Sequence, residues 1–509
     1  MTLSRRQFLK LGGISAGAAT LTACGSIGRK LAENDLPESL QAPTPLPPGT
    51  PTADLPAFPV NPAMRLLNRA GYGPRPGDLD RVTQMGLEAY LAEQLQPDSI
   101  DDQATDLIVR GIDLYQREIG DLLNQEQADA AIALGESTFY RALTSRRQLY
   151  ETMVEFWSDH FNIYLRKTQF MPFFKIVDDR DAIRPHALGA FPNILSASMH
   201  SAAMLVYLDN VQNRRQAPNE NYARELMELH TLGVHGGYDQ TDVQEVARAL
   251  TGWTVHRRGR RQGEVFLNLP EHDPGAKMVL GNTLPAEQGE ADIAQLAQIL
   301  SGAEATATFI AGKLARRFVA DDPSADLVRQ AAEAFSAGGG DVRAALRVLF
   351  LSPEFAAAPP KLKRPYAYMV SAMRALHADV SDARALGRWL QMMGQPLFQW
   401  AAPNGYPDVS AAWAAALLPR WNFAVALLSD KMRGVRVGFE ALLNAGNPSS
   451  TTAALDLFAG ILFGHALDDE ARTLFLDFIG SDRLADRETN IRLRESVALM
   501  LASPAFQWT

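Results

Sequence analysis

Thr241-Asp242-Val243-Gln244-Glu245-Val246-Ala247-Arg248-Ala249-Leu250-Thr251-Gly252 is a complete helix signal. Val243, Val246, Ala247 and Leu250 recur at the three- and four-residue spacing that lines one face of an α-helix. Thr241 and Gln244 have the spacing of a capping box, in which each side chain satisfies the other's free backbone N–H. Gly252 stands where a C-terminal cap belongs. The same period recurs elsewhere, with Leu66, Leu67 and Ala70 opening the domain and Gly86, Ala89, Tyr90, Leu91 and Leu95 following. Strand patterns are few. Val265-Phe266-Leu267 and Lys277-Met278-Val279-Leu280, the latter ended by Gly281-Asn282, are expected to pair as one small hairpin. The expected fold class is therefore mainly α, a large helical domain over 62–509 with at most a small β-hairpin. Leu349–Phe355 and Leu499–Phe506 share a helix-ending device: Ser caps a new turn, Pro enters first, and Phe folds back.

The first residues carry an export address. Ser4-Arg5-Arg6-Gln7-Phe8-Leu9-Lys10 has the paired arginines, Arg5 and Arg6, of a twin-arginine signal. The run from Leu11 to Ala23 is too short and too rich in Gly and Ala for a permanent membrane span. Leu21-Thr22-Ala23-Cys24 is a lipobox, so Cys24 is expected to be lipidated and to become the new N-terminus. Residues 1–24 then form the signal and residues 25–61, rich in proline from Pro37 to Pro59, an extended tether. The expected partners are the twin-arginine translocase and a membrane. Gly25 follows the lipid site, where an aspartate would mark inner-membrane retention, so the periplasmic face of the outer membrane is favoured over the inner. The twin-arginine route accepts folded cargo, which fits either cofactor loading or rapid folding.

Composition narrows the chemistry. Cys24 is the sole cysteine of 509 residues. Its lipidation excludes a disulfide framework, a cysteine nucleophile, thiolate metal sites and covalent haem. The formal charge is −9, and loss of Arg5, Arg6 and Lys10 with no acid takes the mature chain to −12. An acidic surface disfavours nucleic acid. The basic run His256–Arg261 reads as a solvated loop or a local anion patch.

Four segments combine groups that can do chemistry. Glu155-Phe156-Trp157-Ser158-Asp159-His160-Phe161-Asn162 places Glu155, Asp159 and Asn162 on one helix face, where two acids at i and i+4 require a cation, a metal or a shared proton. Asn219–Gly233 carries Glu225, Glu228 and His230 as candidate metal ligands, beside a core stripe of Tyr222, Leu226 and Leu229 and a Glu220–Arg224–Glu228 ladder. Glu228 and His230 diverge on a regular helix, so a buried hydrogen-bond network is the competing reading. Glu271–Lys277 offers His272 as general base and Asp273 with Lys277 as charged partners, or else a turn in which Asp273 bonds its own backbone. Asn404–Asp408, flanked by Trp400 and Trp413, suits a carbohydrate groove or a packed loop. No Gly-x-Ser-x-Gly elbow, Walker loop, His-Glu-x-x-His motif or dinucleotide fingerprint is present.

The chain resembles a known family. Leu67–Gly77, Phe156–Asn162, Ile183–Gly189, Tyr207–Asn210, Asn219–Gly233, Tyr238–Val243, Ala249–Trp253, His272–Lys277, Lys313–Phe318 and Gly394–Phe398 look like the motifs of the bacterial family catalogued as domain of unknown function 1800. The resemblance runs from about residue 62 to the C-terminus. It implies an exported, largely helical protein, often encoded beside a sulfatase-like secreted protein of domain of unknown function 1501. It supplies no catalytic residues.

Two function classes follow. One is an enzyme on an extracytoplasmic polymer or glycan, with Glu155, Asp159, His160, Glu225, His272 and Lys277 as catalytic groups. In that reading Glu225, Glu228 and His230 hold a metal, and Arg184, His186 and Trp413 bind substrate. The other is a non-catalytic partner or maturation factor for the co-exported sulfatase-like protein. Convergence of His160, His186, Glu225 and His272 in one pocket discriminates between them.

Overall fold

The computed structural model describes residues 61–484 and 486–509, so the export signal, Cys24 and the proline-rich tether lie outside the described residues. Helices dominate, with three two-stranded antiparallel ladders. Asn61 caps the first helix, Pro62–Arg69 (α1), by accepting from the Ala63 and Met64 N–H groups. Gln127–Thr144 (α2) and Gln148–His160 (α3) follow, then Glu220–Glu225 (α4) and Gln240–Ala249 (α5). After the strands Trp253–Val255 (β1), Val265–Leu267 (β2), Lys277–Val279 (β3) and Asn282–Leu284 (β4) come Ala291–Gly302 (α6) and Glu304–Phe318 (α7). Pro365–Ala375 (α8), Asp379–Val380 (β5), Leu417–Leu428 (α9), Val435–Arg436 (β6) and Arg487–Ala502 (α10) build the C-terminal part. Among the described residues, no helix is long and apolar enough to cross a membrane.

The quoted stretch forms α5, and Val243, Val246, Ala247 and Leu250 are all buried. The capping box lies two residues earlier than expected. Asp239 accepts from Thr241 and Asp242 N–H, and Asp242 accepts from Asp239 N–H. Asp239 is the extended residue before the helix, so the cap falls there, while Thr241 is already inside the first turn. Gly252 does adopt positive φ, and any Cβ there would strike the Asn268 carbonyl.

Two expectations are corrected. The strands 265–267 and 277–279 do not pair with each other. Trp253 faces Leu267 across the exposed loop 256–261, whereas Lys277 faces Leu284. Leu280 and Gly281 both have positive φ, the backbone requirement of a two-residue hairpin, so β3 turns back on its immediate neighbour. The Asn219–Gly233 segment is also not one regular helix. After α4 the chain widens into a π-helical turn, Leu226–Thr231, and the Thr231 hydroxyl donates to the Leu226 carbonyl five residues back. The wider turn buries Met227 and His230 and leaves Leu229 half-buried, so His230 replaces Leu229 in the core stripe. Arg224 bonds Glu220 and Gln240, and Glu228 drops out of the ladder.

Two large apolar clusters result. The first gathers α1, α3, α5, α6 and α7 around Trp157, Phe161 and Phe191. The second gathers α8, α9 and α10, and reaches back to Tyr72 and to Phe139, Ala142 and Leu143 of α2. Ser352 and Ser503 each precede a short Pro-led turn that buries Phe355 and Phe506. One polar face of α3 runs along the seam between the clusters.

Candidate functional site: a charged seam and an arginine-lined cleft

Helical spacing puts Glu151, Glu155 and Asp159 on one face of α3. They line an enclosed cavity of about 40 Å³ with Tyr72, Ser158, Asn162, Arg184, Arg364, Tyr366 and Tyr406. That volume holds a few waters. Cations close both acids. Glu155 accepts from Arg317 at 2.7 Å and from the Tyr72 hydroxyl at 3.0 Å, and Asp159 accepts from Arg364 at 2.5 Å. Burial raises the Asp159 carboxyl above its ordinary range, although Arg364 opposes the shift. Asp408 continues the network: its carboxyl lies below the ordinary range because Lys361, Arg317 and Arg364 outweigh its burial. Glu155 Oε1, Ser158 Oγ and Arg364 Nε are buried without a hydrogen-bond partner. Asn162 lies just beyond α3 and donates to the Trp400 and Ala402 carbonyls, tying loop 400–408 to the seam. Gly405 packs its Cα against the Asp159 carbonyl at φ +71.

His160 turns away from this cavity. Its Nε2 contacts the His230 carbonyl at 2.9 Å and its Nδ1 the Lys313 ammonium at 2.9 Å. With Lys313 as donor, Nδ1 accepts and Nε2 carries the proton. Burial, then Lys313, hold His160 well below the ordinary histidine range. Burial also lowers Lys313 to about 8. The His230 ring sits among Phe161, His160 and Tyr222, with neither nitrogen bonded, and burial pushes its pKa down to about 3.

A separate network surrounds Asp292 on α6. Lys277 donates to it at 2.6 Å, and His272 Nε2 lies 3.2 Å away while Nδ1 contacts the Thr251 carbonyl. Asp273 binds Arg248 through both oxygens and accepts from Gly275 N–H, the turn reading of that segment. Arg184 is committed to Asp179 at 2.9 Å and to both oxygens of Glu151. Burial alone would lower Arg184, but these two acids outweigh it.

The structure thus brings Glu155, Asp159 and Arg184 to one cavity. It places His160 and His230 behind them, and His272, Asp273 and Lys277 in another network. His186 and Glu225 line neither described cavity. Trp413 is packed rather than open: it is buried, donates to the Pro407 carbonyl, and has Arg364 over its ring at 5.8 Å. The expected metal set is also corrected. No three His, Cys, Asp or Glu among the described residues are grouped to hold a metal. The π-helical turn sends His230 into the aromatic core while Glu225 and Glu228 stay half-buried, and burial with Glu228 nearby raises Glu225.

The residues that close the acids were not singled out from sequence. Lys313 and Arg317 sit at i and i+4 on α7, a spacing that does announce one cationic face. Arg364 carries no local signal.

A second, larger cleft of about 250 Å³ shares Glu151 and Arg184 with the first. Arg141, Arg147 and Arg180 line it together with Tyr115, Tyr150, Asp102, Thr105 and Asp106. Its polar lining suits a hydrogen-bonding ligand rather than an apolar one.

No curated protein and no solved structure matches this chain. The family described as "Protein of unknown function (DUF1800)" matches residues 65–508, nearly the whole chain outside the signal and tether, and the chain belongs to that family.

Proposed function

We propose that this chain is an exported lipoprotein, anchored through Cys24 at the periplasmic face of a membrane, that acts as a non-catalytic partner or maturation factor for a co-exported sulfatase-like protein. One observation supports this over an acid–histidine enzyme. The acids and bases that would do the chemistry are dispersed, and buried cations close most of them: Arg317 and Arg364 hold Glu155 and Asp159, Lys313 holds His160, and Lys277 holds Asp292 beside His272. A general acid or base must reach a substrate proton directly or through one water. The cavity beside Glu155 and Asp159 has room for water only. In this reading the polar motifs hold helices in register, and the twin-arginine route serves a chain that folds before export.

The test is purification of the full chain, exported through its own signal, from solubilised membranes, followed by assay with and without the sulfatase-like protein. A stoichiometric complex, membrane release by Cys24→Ser, and loss of export on replacing Arg5 and Arg6 by lysine are the expected results. Turnover of a glycan by the isolated chain, abolished in a folded Asp159→Asn variant, would overturn the reading.

A further inference from the structure

The arginine-lined cleft has a charge balance that selects a ligand. Of its four guanidinium groups, Arg184 is neutralised by Asp179 and Glu151, and Arg180 by Asp181. Among the described residues, Arg141 and Arg147 have no carboxylate within ion-pair distance. Arg147 donates Nε and Nη2 to a single acceptor, the Ile100 carbonyl. Arg141 makes no hydrogen bond at all. Its guanidinium lies over the Tyr115 ring at 5.3 Å, and its Nη1 is buried without a partner. A buried donor left unmade is costly, and a charged one more so. An acceptor arriving from outside relieves that cost.

On the acidic side, Asp102 is already spent on local structure. It accepts from Ser145, Thr105 and the Arg146 N–H. Asp106 is the lining acid that no cation pairs. Two unpaired guanidinium groups against one unpaired carboxylate leave about one positive charge to be met. A singly charged oxyanion balances the cleft, whereas a phosphate dianion overshoots it. The tyrosine rings offer flat apolar faces, since the Tyr115 and Tyr150 hydroxyls are occupied by Asp179 and the Arg184 carbonyl. The volume is below the usual range for drug-sized ligands and suits one small ring.

We propose that this cleft binds a monoanionic, hydroxylated ligand the size of one sugar ring, its carboxylate or sulfate ester held by Arg141 and Arg147 and a hydroxyl by Asp106. This goes beyond the partner reading and does not depend on it.

Titration calorimetry on the full chain tests it with four probes: D-glucuronate, D-glucose 6-sulfate, D-glucose and inorganic phosphate. Binding of glucuronate or glucose sulfate with Kd of about 1 mM or tighter, at least tenfold tighter than glucose and phosphate, is expected. Preference between the two monoanions identifies the source of the charge. Arg141→Met keeps the contact with Tyr115 and removes the unmet donor, so it is expected to fold with unchanged or raised Tm and to lose at least tenfold in affinity. Asp106→Asn is expected to shift preference toward phosphate. Equal binding of glucose and glucuronate, absence of binding by either monoanion, or unchanged affinity in a folded Arg141→Met variant would each overturn the assignment.

Discussion

Arg364→Met asks whether paired charge holds the seam together. The Arg364 side chain is only 5% exposed. It reaches Asp159 at 2.5 Å and Glu155 at 3.6 Å, and lies over Tyr406 and Trp413. Methionine retains the stem and leaves two buried carboxylates on one face of α3, with Arg317 at 2.7 Å from Glu155 as the nearest remaining cation. Breaking a buried pair by removing one partner costs about 3–5 kcal/mol. We expect a loss of that size at neutral pH in urea unfolding, with an unchanged m value. The pH dependence has a definite sign. Burial has already raised Asp159 above its ordinary value of 3.8, and losing Arg364 raises it further. A carboxyl whose folded pKa exceeds its unfolded one binds more protons when folded. Its penalty is full above the folded pKa, shrinks as pH falls through it, and vanishes below the unfolded value. The gap between wild type and Arg364→Met should therefore narrow as the pH falls from neutrality. Adding Asp159→Asn should recover about 1–3 kcal/mol as coupling. A loss under about 1 kcal/mol, or a gap that widens on acidification, would refute the account of the seam.

Other expectations are simpler to check. His230→Phe removes two unmet ring nitrogens from an aromatic pocket and should raise stability by about 1 kcal/mol at pH 7, read from chemical unfolding. Because the folded pKa of about 3 lies below the unfolded 6.5, the wild type loses stability as pH falls through that window, and the variant should lose less. Gly405→Ala drives a Cβ into the Asp159 carbonyl at positive φ, and a drop of at least about 2 kcal/mol is expected, larger than for an exposed glycine such as Gly259. Asp239→Ala removes both sides of the observed capping box and should cost about 1 kcal/mol, whereas Thr241→Ala should cost little.

The comparison of sequence with structure turns on range. The α5 stripe was legible because every residue that defines it lies within one helix. The Ser-Pro-Phe endings at 352–355 and 503–506 were legible for the same reason. The acid pair Glu155 and Asp159 was legible as one face in need of compensation. What compensates it was not: Arg317 and Arg364 lie 162 and 205 residues away. The His230 error came from assuming a regular helix, since the π-helical turn at 226–231 rotates everything after it and leaves no local mark in the residue pattern. Trp413 looked like a groove residue because composition cannot tell a packed aromatic loop from an open one.

By itself, then, the sequence determined the helical class, the capping and turn devices, the family and the need to neutralise α3. Only the tertiary structure decided which cations do so, which strands pair, that His230 is buried, and that Arg141 and Arg147 share an unfilled cleft. The physical reason is that caps and periodicity depend on neighbours along the chain. Charge pairing, burial and cavities depend on groups that only packing brings within a few ångströms.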